Sequence, residues 1–285
     1  MIIPKIKIEG RSGCILEITR NTDQYLIRKS SNKPEYNKRI KRQQEKQKLF
    51  YENSSYRNIL TPLIHCSGNK NNGLSFFEMQ YVPGEKYSEY FLHSQIFEIK
   101  ETIEQFISLI ESELNRSQLI KIPAETFLDK IDAIKRLLKK QKIFNAEIDR
   151  TYEFLEGNIP DSDIPVGICH GDLTLSNVIF CNKNIWLIDF LDSFIETPLF
   201  DIVKLRQDTK YYWSLTIETD IPVYQRNKVV QVLNYFDQYL VSYFKKNIHY
   251  INWYGYLVKL NLLRILPYLQ NNIERDFVVN CLIHT

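Results

Sequence analysis

With 285 residues, the chain can form one large domain or two modest ones, each with its own core. Hydrophobic residues at 44% and charged ones at 25% give the balance of a globular protein that folds in water, and a net charge of only +3 gives no electrostatic reason to expect nucleic acid as a partner. No apolar run approaches a membrane span, Met1 to Lys7 lacks the apolar core of a signal peptide, and the five scattered cysteines contain no Cys-x-x-Cys pair, so the chain reads as cytoplasmic without a zinc or disulfide framework.

In chain order, residues 6–81 read as strands with one helix between them. Ile6 and Ile8 alternate with polar residues before a turn that contains Gly10, Ser12 and Gly13. Such a turn would let backbone amides approach phosphates, although most turns of this composition are only turns. Strands follow at residues 14–19 and 24–28, where alternation puts Leu26 and Arg28 on one face and Lys29 on the other. Residues 35–51 form a helix dense in lysine and arginine. Without interleaved aromatics it reads as a solvated face rather than a single-strand binder. Glu45 is the acid in its central part, placed either to pair with Lys41 or Lys48 or to point back at the sheet. Residues 60–66 and 74–81 close the sheet, and the run Met79-Gln80-Tyr81-Val82 enters a rigid Pro83-Gly84 turn.

From Tyr87 the apolar period lengthens. Ile96, Ile99, Ile103, Phe106 and Ile110 form a helical stripe, and so do Phe127, Ile131, Ile134 and Leu138. This places a boundary near Pro83-Gly84 and predicts a small α+β lobe over residues 1–82 and a larger, mainly helical lobe over 83–285. An apolar strand then ends in His170-Gly171, and a polar loop carries Asp172 and, five residues on, Asn177. Two short strands split by the turn Cys181-Asn182-Lys183-Asn184 bring Asp189 back beside Asn177. An amide and a carboxylate suit Mg²⁺, which prefers a few hard oxygen ligands and keeps substrate phosphates for the rest. A further carboxylate can orient an attacking hydroxyl and take its proton.

His170-Gly171-Asp172-x-x-x-x-Asn177 followed by Ile188-Asp189-Phe190 resembles the catalytic segment of the aminoglycoside phosphotransferase and choline kinase superfamily, a branch of the protein-kinase-like fold. The resemblance implies a bilobal kinase with ATP between the lobes. It implies Asp172 as the catalytic aspartate, His170 as its support, and Asn177 and Asp189 as the Mg²⁺ ligands. It further implies a basic residue on the third strand, Arg28 with Lys29 as the fallback, that meets the nucleotide phosphates and pairs with Glu45. Met79 would line the adenine pocket, with backbone contacts from Gln80 to Val82. Departures are the glycine-poor phosphate turn and Phe190-Leu191, where protein kinases have Phe-Gly.

Pro198 opens a helix whose first turn holds Asp201. That acid could favour the helix dipole, and the resemblance implies that it steadies the catalytic loop. The C-terminal part is rich in tyrosine and tryptophan at helical spacing. These could box a quaternary ammonium or stack on a sugar, and a packed core is the simpler reading. The last helices could carry a partner face, which leaves the oligomeric state open. The expected activity is phosphorylation of a small-molecule hydroxyl: choline, an amino alcohol or a sugar. A catalytically silent nucleotide-binding protein and an aminoglycoside-modifying kinase are the alternatives. Scattered acids in the C-terminal part argue against the latter, and the short stretch between Asp189 and Pro198 argues against a protein kinase.

Overall fold

The computed structural model describes residues 7–9, 14–21, 24–53, 58–218, 221–269 and 271–285. The alternation read from the N-terminal sequence becomes β1 (Lys7–Glu9), β2 (Cys14–Asn21) and β3 (Gln24–Ser31), followed by helix α1 (Asn37–Asn53) and strands β4 (Ile59–Leu60), β5 (Ile64–Asn69) and β6 (Ser75–Gln80). Five of these strands form an antiparallel sheet in the order β1-β2-β3-β6-β5. Ile27, Phe77, Met79 and Ile64 pack with Ile40 of α1 in a small core of their own. The face of β3 that α1 covers is therefore the one holding Ile27 and Lys29, since residues two apart share a face.

Pro83-Gly84 leads through β7 (Glu85–Lys86) into helices α2 (Tyr87–His93) and α3 (Ile96–Arg116). Strand β8 (Gln118–Ile120), helices α4 (Ala124–Lys140) and α5 (Ala146–Gly157), and strand β9 (Ile164–Val166) come next. β9 is shorter than its apolar sequence suggests, so the approach to His170 is irregular chain. The expected hairpin is β10 (Val178–Cys181) with β11 (Asn184–Leu187), turning on Asn182 and Lys183 at φ 52° and 63°. Two consecutive left-handed residues define the tight turn whose twist matches that of paired strands. Helices α6 (Pro198–Thr209), α7 (Trp213–Ile217), α8 (Val223–Phe244), α9 (Ile248–Ile265) and α10 (Asn272–Ile283) complete the chain.

The hairpin is framed on both sides, in the order β4-β11-β10-β7. Gly84 is required here, because a Cβ on it would lie 2.5 Å from the Phe180 carbonyl oxygen. β4 precedes residue 82 in sequence yet pairs with β11, and Phe50 of α1 packs on Phe190 with ring centroids 5.0 Å apart. The two lobes thus share elements across the expected boundary. The large core fills the helical part. Trp253 and Tyr256 are buried there against Phe127, so these aromatics pack the interior.

Every residue of α6 is buried, including Asp201, Lys204, Arg206 and Asp208. A helix buried all round can carry charge only if each group finds a partner, and all four do: Asp201 and Asp208 accept from backbone amides, Lys204 meets Asp172, and Arg206 donates to Asp237 at 2.8 and 2.9 Å. Among the described residues, no helix is long and apolar enough to cross a membrane.

Candidate active site

The loop between β9 and β10 is held from below by α6. Asp201 accepts hydrogen bonds from the backbone amides of His170 at 2.7 Å and Gly171 at 2.8 Å. Burial pushes its carboxyl up to about 7, against the pull of those amides and of Lys46. Asp208 accepts from the amides of Leu175 at 2.6 Å and Ser214 at 2.8 Å, and burial raises it to about 6. Two carboxylates on one face of a single buried helix, two turns apart, therefore clamp both ends of the loop. Gly171 sits at φ 82°, and a Cβ there would lie 2.2 Å from the Leu191 carbonyl oxygen, so only glycine fits.

His170 is fully buried. Its Nδ1 accepts from the Asp172 amide at 3.2 Å, which leaves Nε2 to donate to the Ile188 carbonyl at 2.9 Å. Burial pulls its pKa down to about 4, so the ring is neutral with both nitrogens engaged. It joins the two halves of the hairpin motif and has no free nitrogen to serve as a base.

Asp172 lies at the mouth of the loop with 28% of its side chain open. Asn177 donates through Nδ2 to the Asp172 carbonyl at 2.8 Å and to Oδ2 at 3.2 Å, which turns its own amide oxygen away from these contacts. On the other side, Lys204 Nζ stands 3.0 Å from Asp172 Oδ1. Burial alone would raise the Asp172 carboxyl; Lys204 more than offsets it and holds the group below its ordinary range. Burial in turn lowers the Lys204 pKa. The sequence reading passed over Lys204, although a lone lysine inside the apolar run Leu199 to Leu205 is the kind of residue that must have a buried partner.

Asp189 takes a left-handed backbone, φ 61°, with its side chain 42% open, and it pairs with Lys29. Lys29 is 2% exposed. The expected pair between Arg28 and Glu45 is not formed, and the fallback Lys29 is the basic residue of β3 that reaches Asp189. Arg28 bonds Glu78 on the neighbouring strand β6, at 2.7 Å from Nη2 and 2.9 Å from Nε, with its guanidinium over the Phe76 ring. Glu45 is exposed on α1 and is not the partner of Arg28. The physical reason is parity. α1 packs on the Ile27 and Lys29 face of β3, so Lys29 points into the cleft and Arg28 away from it. On α1 the residues turned to the sheet include Gln43 and Gln47, both buried.

Lys46, one turn beyond Arg42 on α1, reaches across to the segment after Asp189. Its Nζ donates to the Leu191 carbonyl at 2.7 Å and pairs with Glu196. Burial works against this charge, but Cys169 and Glu196 outweigh it and raise the Lys46 pKa. Met79 is buried with its sulfur 3.6 Å from Gln47 Nε2. The amides of Gln80 and Tyr81 donate to the carbonyls of Leu63 at 2.9 Å and Tyr25 at 3.2 Å, so those two donors are consumed within the sheet. Gly10, Ser12 and Gly13 lie outside the described residues. A cavity of about 1130 Å³ does not include Asp172, Asn177 or Asp189; its lining includes Cys169, Ser193, Phe194, Lys130 and Lys46, in the segments beside them. The convergence of Asp172, Asn177 and Asp189, rather than cavity size, marks the candidate site.

A small sheet lobe with its helix, a helical lobe, and a clamped His-Gly-Asp loop facing a lysine–aspartate pair define a protein-kinase-like phosphotransferase fold. The chain belongs to the phosphotransferase enzyme family, whose pattern matches residues 16–228. It is similar in fold to an aminoglycoside phosphotransferase APH(4)-Ia in ternary complex with AMP-PNP and hygromycin B, with a TM-score of 0.65 and 10% identity, covering 98% of this chain and 91% of that one. The gentamicin complex of APH(2")-IIa gives a TM-score of 0.59 at 16% identity over 97% of this chain and 89% of the other. A fructosamine-3-kinase-like protein from Haemophilus somnus 129PT gives 0.51 at 15% identity over 100% and 92%. In sequence, the chain is 25% identical over 238 residues to acyl-CoA dehydrogenase family member 11 of Rattus norvegicus, covering 78% of this chain and 29% of the relative. It thus spans less than a third of the curated relatives it matches.

Proposed function

We propose that the protein is an ATP- and Mg²⁺-dependent kinase that phosphorylates a hydroxyl of a small molecule. The observation that carries this reading is Asp172, ionised and held between Asn177 on one side and Lys204 on the other, across the cleft from the Lys29–Asp189 pair. The donor chemistry fits a hard divalent cation: the Asn177 amide oxygen and the open Asp189 carboxylate would hold Mg²⁺, which supplies charge neutralisation at the phosphates. Lys29 would exchange its contact with Asp189 for the nucleotide phosphates. Because Gln80 and Tyr81 already spend their amides, an adenine contact from this stretch falls to the Val82 amide or to carbonyl oxygens.

Asp172 orients the acceptor hydroxyl and accepts its proton at the carboxylate. Phosphoryl transfer through a loose transition state demands little base strength, so a carboxylate kept ionised by Lys204 suffices. Asp201 and Asp208 position the loop through backbone amides. A catalytically silent binding protein would have no use for this arrangement of Asp172.

Acceptor-dependent ADP release is the test. Asp172→Ala should lower turnover by at least about 10²-fold, the scale of general-base assistance, and leave nucleotide binding in place. Asp189→Ala should weaken Mg²⁺-nucleotide binding. Full turnover by the Asp172 variant would sink the assignment.

A further inference from the structure

The two oxygens of Asp172 face different surroundings. Oδ2 meets Asn177, on the side proposed for metal and nucleotide, whereas Oδ1 meets Lys204. Beyond Lys204 the surroundings stay cationic. Arg264, in the last turn of α9, lies over the Phe200 ring at 5.6 Å. Phe200 meets Phe194 edge to face at 5.7 Å, and Lys130 of α4 lies over Phe194 at 5.5 Å. Lys130 and Phe194 line the large cavity beside the catalytic loop.

Neither Arg264 nor Lys130 makes a direct ion pair among the described residues, and both are partly buried; the carboxylate that acts on Arg264 is Asp172 itself, which it shares with Lys204. Burial lowers the pKa of each, and Arg264 adds repulsion on Lys130. By contrast, two cavity carboxylates are already neutralised: Asp192 by Arg42 at 2.6 Å, and Glu196 by Lys46. The third cavity carboxylate, Glu45, stands exposed on α1 at the cavity's rim, where water screens it. Unpaired, part-buried cations are costly, and an anion between them would offset that cost. A cationic acceptor would meet repulsion, and the Phe194 and Phe200 rings beside the site already carry the chain's own cations, Lys130 and Arg264.

Resting on the kinase reading above, we infer that the acceptor is a hydroxyl compound carrying a carboxylate or phosphate, its anionic group held by Arg264 and Lys130 and its hydroxyl at Asp172. This excludes choline, ethanolamine and aminoglycosides as preferred substrates of this chain.

Calorimetric titration in the presence of AMP-PNP and Mg²⁺ tests it with glycerate, glycerol 3-phosphate and glucose 6-phosphate against glycerol, choline and glucosamine. At least one anion should bind about tenfold or more tighter than the uncharged and cationic compounds. Lys130→Glu, on a partly open helix face, and Arg264→Gln should each weaken that binding about tenfold while AMP-PNP affinity holds. Choline or glycerol binding as well as the anions, no anion binding, or anion binding that survives Lys130→Glu would overturn the inference. ADP release measured alongside separates the two readings. An anion that binds but is never phosphorylated counts against the kinase, while phosphorylation of choline without anion preference counts against the anion site alone.

Discussion

At the scale of single residues, the site works through burial that has been answered by a partner. His170 shows this through its pH dependence. Its folded pKa of about 4 lies below the ordinary 6.5, so between those values the unfolded chain binds the extra proton. The contribution of the neutral ring to stability is therefore fully present above about pH 6.5 and is lost as pH falls toward 4, by about 3 kcal/mol in all. Melting temperatures taken across that window should fall for the native protein and fall less for His170→Asn; equal slopes would contradict the neutral, doubly bonded ring. Gly171 makes the same point through space. An alanine there must leave its left-handed backbone or displace the Leu191 carbonyl, and it should cost more than about 2 kcal/mol in denaturant unfolding.

At the scale of elements, two pieces of secondary structure decide the site, and the sequence disclosed one far better than the other. The β10–β11 hairpin was legible because a two-residue polar turn between short apolar runs has few other solutions. Its weak point is equally legible: Lys183 pays a steric cost at φ 63° that glycine would not. Lys183→Gly should thus raise unfolding stability by about 0.5 to 1 kcal/mol, measured by chemical denaturation, with no change in turnover. Helix α6 was legible only in part. Its start at Pro198 and the presence of Asp201 could be read, but Lys204 and Asp208 gain their meaning from the loop packed on them. The same limit explains Arg28. Strand alternation correctly separates Arg28 from Lys29, but it cannot say which face α1 will cover.

At the scale of the whole molecule, α1 ties the sheet lobe to the segment that follows Asp189. Arg42 reaches Asp192, Lys46 reaches Leu191 and Glu196, and Phe50 packs on Phe190. Lys46 is the most buried of these contacts that carries charge, so its loss leaves Glu196 without its partner. Lys46→Met should destabilise the fold by about 2 to 4 kcal/mol and lower turnover, and restoring stability with Glu196→Gln in the same chain should be partial. An additive double variant would show that the two residues act separately. What the sequence by itself determined is the class of fold and the line of Asp172, Asn177 and Asp189, because periodicity sets the elements and a short hairpin leaves those three residues little freedom. Tertiary structure alone decided which basic residue of β3 faces Asp189, that Lys204 keeps Asp172 ionised, and that Arg264 and Lys130 stand beyond it without a direct ion pair among the described residues. Each of these depends on which surfaces of distant segments are buried against one another, and local spacing carries no record of that.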